Sequence, residues 1–345
     1  MFPASGHPGL ARMLLLAAGI AAAGIAAGAA PVHAQRRTTD LTLARQRPLW
    51  IRLDPEGTAI GSPNWVLVRN GRVFLTDYDG PAVLALDART GATLWRYARE
   101  GNGPGEFRHP GSVFWHPRGV VAVDNSTRRL YLFSVDGRLL AEQGVPHGLF
   151  IGGGCSLDDG SMILDAAVMG GPSLFRAAFG QEAPEIVRFP FDTAGAHPMH
   201  RVLALASASA RADCFAARKL TAGMTVLSKA GAASPRSFIE SPTERPFKDP
   251  SAIRDTSDLP IQFALRAGVT GDTAFVWFGG TRCHSRCIDF YSLPDLAYLH
   301  TIRLDGRTGI NMHNLDIEGD LVVMLGSRDD VPLVAAYRLP RPRVR

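Results

Sequence analysis

Trp65-Val66-Leu67-Val68, Arg69-Asn70-Gly71-Arg72, Val73-Phe74-Leu75-Thr76-Asp77: here one apolar strand enters a tight turn and leaves as a second strand. Asn70-Gly71 supplies the positive φ angles that a two-residue hairpin requires. The chain then turns again at Tyr78-Asp79-Gly80-Pro81 and continues as Ala82 to Asp87. A third turn, Ala88 to Gly91, leads into Ala92 to Tyr97. Four short antiparallel strands within about 40 residues form a unit that cannot bury its own faces and must stack on copies of itself.

The unit recurs. Val113 to Trp115 and Val120 to Asp124 flank Gly119, and Leu130 to Phe133 and Leu139 to Gln143 flank Asp136-Gly137. Cys155-Ser156-Leu157 precedes Gly160, Val269 precedes Gly271-Asp272, and Leu315 to Ile317 precedes Gly319-Asp320. A degenerate copy reads Cys214 to Ala217, Gly223, Met224 to Leu227. The turn glycines 71, 119, 160, 223, 271 and 319 are spaced 48, 41, 63, 48 and 48 residues apart, which implies six copies. The expected fold is therefore all-β: a six-bladed β-propeller of four-stranded antiparallel blades. The long interval and the Pro- and charge-rich stretch 234–260 read as loops inserted around blade four. The last copy ends after its third strand. A segment near the start, Leu41-Thr42-Leu43 or Leu49-Trp50-Ile51-Arg52-Leu53, is expected to supply the missing outer strand and close the ring.

Residues 1–34 read as a secretory signal: Arg12, then an uncharged Ala- and Leu-rich run from Met13 to Ala30, then Val32-His33-Ala34 as the cleavage site. The alternative is an uncleaved anchor, since about 18 apolar residues approach the length of a membrane span. The expected domains are thus a signal at 1–34 and one propeller at 35–345, in the periplasm or secreted. The whole chain carries a charge of +5; loss of Arg12 leaves +4. The cations are scattered rather than striped, which speaks against nucleic acid as a partner. No further apolar run of membrane length follows, and a monomer is expected. The four cysteines, Cys155, Cys214, Cys283 and Cys287, are expected to be oxidised in an exported chain. Cys283–Cys287 is the first pair and Cys155–Cys214 follows by elimination; half of a zinc site at Cys283 and Cys287 is the alternative.

Gly101-Asn102-Gly103-Pro104-Gly105-Glu106-Phe107-Arg108-His109-Pro110 resembles the connector of NHL-type six-bladed propellers of exported bacterial proteins. The following Val120-Val121-Ala122-Val123-Asp124-Asn125 and Arg128-Arg129-Leu130 are similar to that family's strand pair. The resemblance implies a binding or scaffolding platform for a protein, peptide or carbohydrate ligand. Some relatives, amidating lyases and gluconolactonase-like enzymes among them, hold a metal at the channel mouth. A second stretch, Ala85-Leu86-Asp87-Ala88-Arg89-Thr90-Gly91-Ala92-Thr93-Leu94-Trp95, is similar to the tryptophan-docking pattern of quinoprotein-like propellers. It occurs once and is read as local packing, with Trp95 set against the next blade.

Gly101 to Gly105 opens no helix and lacks a following Lys-Ser/Thr, so it is a connector and not a phosphate loop. Asp77, Asp124 and Asp165 end the second strand of three blades and are expected to hold turns through backbone N–H groups. Histidines in the connectors offer one candidate site. His109 enters blade two, His147 blade three and His313 blade six; three His ligands with an open position would suit zinc, with calcium the other candidate ion. That arrangement would make the chain a metal-dependent lyase or hydrolase, the alternative to a binding module. No cofactor is otherwise implied.

Overall fold

The computed structural model describes residues 38–41, 46–53, 60–167, 174–181, 185–186, 203–207, 213–219, 223–228, 231–233, 235–240, 264–279, 285–304 and 310–340. The chain divides into two units, Met1–His33 and Ala34–Arg345; the expected signal and, of the inserted stretch 234–260, all but 235–240 lie outside the described residues.

Six sheets account for the described strands, and each is a blade. Blade one is β3 (Pro63–Arg69), β4 (Arg72–Asp77), β5 (Ala82–Asp87) and β6 (Thr93–Tyr97). Blade two is β7 (Pro110–His116), β8 (Gly119–Asp124), β9 (Arg129–Phe133) and β10 (Leu139–Gly144). Blade three comprises β11 (Phe150–Ser156), β12 (Met162–Ala167), β13 (Leu174–Ala177) and β14 (Glu185–Ile186). Blade four comprises β15 (Leu203–Ser207), β16 (Cys214–Arg218), β17 (Met224–Ser228) and β18 (Gly231–Ala232). Blade five is built from β19 (Ala264–Thr270), β20 (Thr273–Phe278), β21 (Cys287–Ser292) and β22 (Tyr298–Leu304), and blade six from β23 (Asn311–Glu318), β24 (Leu321–Arg328) and β25 (Val331–Arg338).

The expected closure is observed. β2 (Trp50–Leu53) pairs antiparallel with β25, Trp50 opposite Ala336 and Leu53 opposite Leu333, and becomes the fourth strand of blade six. Of the rival segment Leu41-Thr42-Leu43 only Leu41 is described; it ends β1 (Thr38–Leu41), which adds in parallel to the outer edge of β22 and makes blade five five-stranded.

One expectation is corrected. Gly223 lies between β16 and β17, the second and third strands of its blade, whereas the other five turn glycines follow the first strand. The degenerate copy is one strand out of phase with the others, and the innermost strand of blade four, Leu203-Ala204-Leu205-Ala206-Ser207, has no glycine turn to mark it. The 48-residue interval before Gly271 is thus fortuitous.

Each blade is apolar on both faces, because residues i and i+2 point one way and i+1 the other. In blade one, Val66, Val73, Leu75, Leu84 and Leu86 pack toward blade six, while Phe74, Val83 and Ala85 pack toward blade two. The described core is six such layers, one between each pair of neighbouring blades. Tryptophans from outer strands bind the next blade. Trp95 Nε1 donates to the Val135 carbonyl at 2.8 Å, as the docking pattern implies. Trp50, on the closing strand, repeats this across the seam and donates to the Ala88 carbonyl at 2.9 Å. Gly91 has a φ of +74°, and a Cβ there would lie 2.7 Å from the Trp50 ring, so only glycine suits that turn.

Candidate functional site: channel and entry face

The six innermost strands begin at the connectors and run in the same direction around the axis, so their first residues surround one mouth of the channel. Turn carboxylates fix this entry face. Asp77 accepts from the N–H groups of Gly61 and Ser62, each at 2.8 Å. Asp124 accepts from Arg108 N at 2.6 Å and His109 N at 3.1 Å, and its other oxygen from Ser126 and Thr127. Both do what their repeat position implied.

Below the mouth the channel is filled. Arg266 on β19 and Arg69 on β3 are buried, as is Asp316 on β23. The Arg266 guanidinium lies 4.3 Å over the Trp65 ring, and Arg69 lies 5.8 Å from the Trp115 ring centre. These are cation–π stacks between blades, strengthened by exclusion of water. Arg266 also donates to the Val66 carbonyl at 3.1 Å, and Asp316 Oδ2 accepts from Val68 N at 2.7 Å. Burial lowers the Arg266 pKa to about 10 and raises that of Asp316 to about 6, with the opposite charge of each restraining the shift of the other. Burial likewise lowers the pKa of Arg69, against the attraction of Asp316 and Glu318. A cavity of about 30 Å3 for water centres remains between these groups, lined from all six blades; that is roughly room for two or three waters and excludes an organic substrate from the axle.

The three connector histidines do not meet. His313 lies within β23, its Nε2 2.8 Å from the Pro63 carbonyl. His109 stacks on Tyr78 with ring centres 4.4 Å apart. His147 contacts the Arg128 guanidinium, a neighbour that disfavours a cation. Among the described residues no group of three or more His, Cys, Asp or Glu side chains could hold a metal. The zinc or calcium site drawn from His109, His147 and His313 is therefore corrected: connectors at one mouth lie on different blades of the ring, and each ring satisfies itself locally.

The entry face carries exposed aromatics instead, which the sequence reading passed over. Tyr78 is 43% exposed and Phe150, the first residue of β11, 60% exposed. The two belong to a connected stretch of blades one to three. Tyr78 stacks on His109, whose N–H is held by Asp124. Neighbouring Asn125 bonds both the N–H and the C=O of Ile151, beside Phe150.

Cys155 on β11 and Cys214 on β16 form a disulfide that joins blades three and four inside their shared apolar layer. Cys287 is also disulfide-bonded; Cys283 lies outside the described residues.

The family model of the outer membrane protein assembly factor BamB matches residues 24–149. That span holds the closing strand, blades one and two, and both docking tryptophans. It bears on the second of the two resemblances, to tryptophan-docking propellers, rather than on the NHL type. No curated protein matches the chain. Among solved structures, a putative exported protein of Bacteroides fragilis is 11% identical with a TM-score of 0.51, over 88% of this chain and 99% of that one. A protein of unknown function from Bacteroides thetaiotaomicron is 10% identical with a TM-score of 0.50, over 80% and 69%. Virginiamycin B lyase of Staphylococcus aureus, in its inactive form with quinupristin, is 9% identical with a TM-score of 0.48, over 83% and 99%. At these identities the likeness to the two Bacteroides structures concerns the fold alone. The chain is a six-bladed β-propeller, similar through its first two blades to the assembly factor BamB.

Proposed function

We propose that the chain is an extracytoplasmic binding or scaffolding module that takes a protein, peptide or carbohydrate ligand on its entry face. The observation that carries this reading is the pairing of a filled axle with exposed aromatic side chains at its mouth. A channel with space for two or three waters offers a ligand no interior. Tyr78 and Phe150, held by the Asp124 and Asn125 contacts, offer a pre-set apolar surface with polar neighbours at Arg108 and Arg128. Exposed aromatics cost solvation in the free protein and are regained as contact area in a complex. The buried disulfide supports an oxidising compartment, and the match of residues 24–149 to an outer membrane assembly factor supports a scaffolding role.

Peptide and glycan arrays probed with the purified protein test this. At least one ligand class should bind, and the Tyr78→Ala/Phe150→Ala double variant should lose that binding with its melting temperature unchanged. Ligands retained at full strength by the double variant would refute the assignment to this face.

A further inference from the structure

Two donors in the axle have no hydrogen-bond partner among the described residues. Arg266 Nε–H and Trp65 Nε1–H are buried and donate to no acceptor, and both residues line the channel cavity. An unsatisfied buried N–H is costly, and in native proteins it usually marks an ion or water. The charges around the cavity distinguish the two. Its lining holds two guanidiniums, Arg69 and Arg266, and one carboxylate, Asp316. The Asp316 oxygen that accepts from Val68 N–H is turned to the strand backbone. Glu318, which also attracts Arg69, is held on the far turn by the N–H groups of Asn70 and Gly71. Partly buried Lys219 adds a further cation near Arg266, with Asp165 facing it. The cavity lining thus carries one more guanidinium than carboxylate, and two N–H donors beside it are unsatisfied.

We propose that the central channel binds one small monovalent anion of chloride size, received by Arg266 Nε–H and Trp65 Nε1–H. The guanidinium is stacked 4.3 Å over the indole, and both groups line the same cavity. An anion there would satisfy both donors and offset the one positive charge by which the two lining guanidiniums exceed the Asp316 carboxylate. The cavity of about 30 Å3 has room for a monatomic ion. The ion would tie blade five to blade one across the axis, since β19 carries Arg266 and β3 carries Trp65. It is a structural anion, independent of any ligand on the entry face.

Bromide is the probe. Crystals of the wild-type protein grown in sodium bromide should show an anomalous peak in the channel beside Arg266 and Trp65; a channel without one would overturn the proposal and assign the space to water. Trp65→Phe keeps the stack and removes one donor, so the peak should weaken or vanish; a peak at full occupancy in this variant would overturn the donor assignment. In solution the wild-type melting temperature should be about 2 °C or more higher in sodium chloride than in sodium gluconate at equal ionic strength. Trp65→Phe should lose that difference, and equal melting temperatures of the wild type in the two salts would count against the site.

Discussion

Asp316 and Arg266 show what the ring does to single residues. Both sit in innermost strands, Arg266 in the largely apolar β19 and Asp316 in the mixed β23, and their meeting depends on a fold that brings Arg266 to Val66, 200 residues away. Nothing local in the sequence announces such a contact. Asp77 and Asp124 were legible because they recur at one repeat position and their bonds are to nearby backbone. The Asp316 shift has a measurable consequence. Its folded pKa is raised from 3.8 to about 6, so between those values the folded chain holds a proton that the unfolded chain releases. Its contribution to stability is therefore largest below pH 3.8 and is lost as pH rises to about 6. Asp316→Asn should remove that component: the difference between wild-type and variant unfolding free energies should change across this window and stay level above it. Urea denaturation at a series of pH values checks this, and parallel profiles would show that the carboxyl does not titrate as described.

At the level of strands and turns, the blade hairpins were readable because period-two apolar runs and Asn-Gly or Gly-Asp turns are local signals. Blade four escaped correct phasing because its first strand is Ala-rich and followed by no glycine turn. The parallel addition of Thr38–Leu41 to blade five escaped because four residues of edge pairing leave no pattern. Trp50 is the anchor of the closing strand, buried against the Ala88 to Gly91 turn. Trp50→Ala should cost about 3–5 kcal/mol, the usual loss for a buried tryptophan, while the same change at exposed Leu53 should cost little; calorimetry of both variants separates anchorage from general strand loss. The Cys155–Cys214 bridge closes a loop with a sequence separation of 59. Its chain-entropy contribution is about 4 kcal/mol. The Cys155→Ala/Cys214→Ala variant should show a fall of that order in guanidinium denaturation, and an unchanged midpoint would mean that the unfolded chain is already constrained between blades three and four.

Across the whole molecule, closure removes a sheet edge from the seam, and the filled axle gives six separate apolar layers a common polar centre. The sequence foretold the ring, its blade number and one of its closing segments, but not the way it is filled, because side chains from six strands meet there through packing alone. The metal site failed for the complementary reason: histidines sharing a connector position are distributed around the ring and not gathered at its axis. What is left for a ligand is the entry face. The most direct measurement of that claim is photo-cross-linking in the native host, with a photoreactive residue placed in turn at Tyr78, Phe150, Leu94 and Leu299, all exposed. Discrete adducts from Tyr78 and Phe150, and none from Leu94 on the outer strand of blade one or Leu299 on β22, are the expected result. Adducts confined to Leu94 and Leu299, with the entry face silent, would contradict the account.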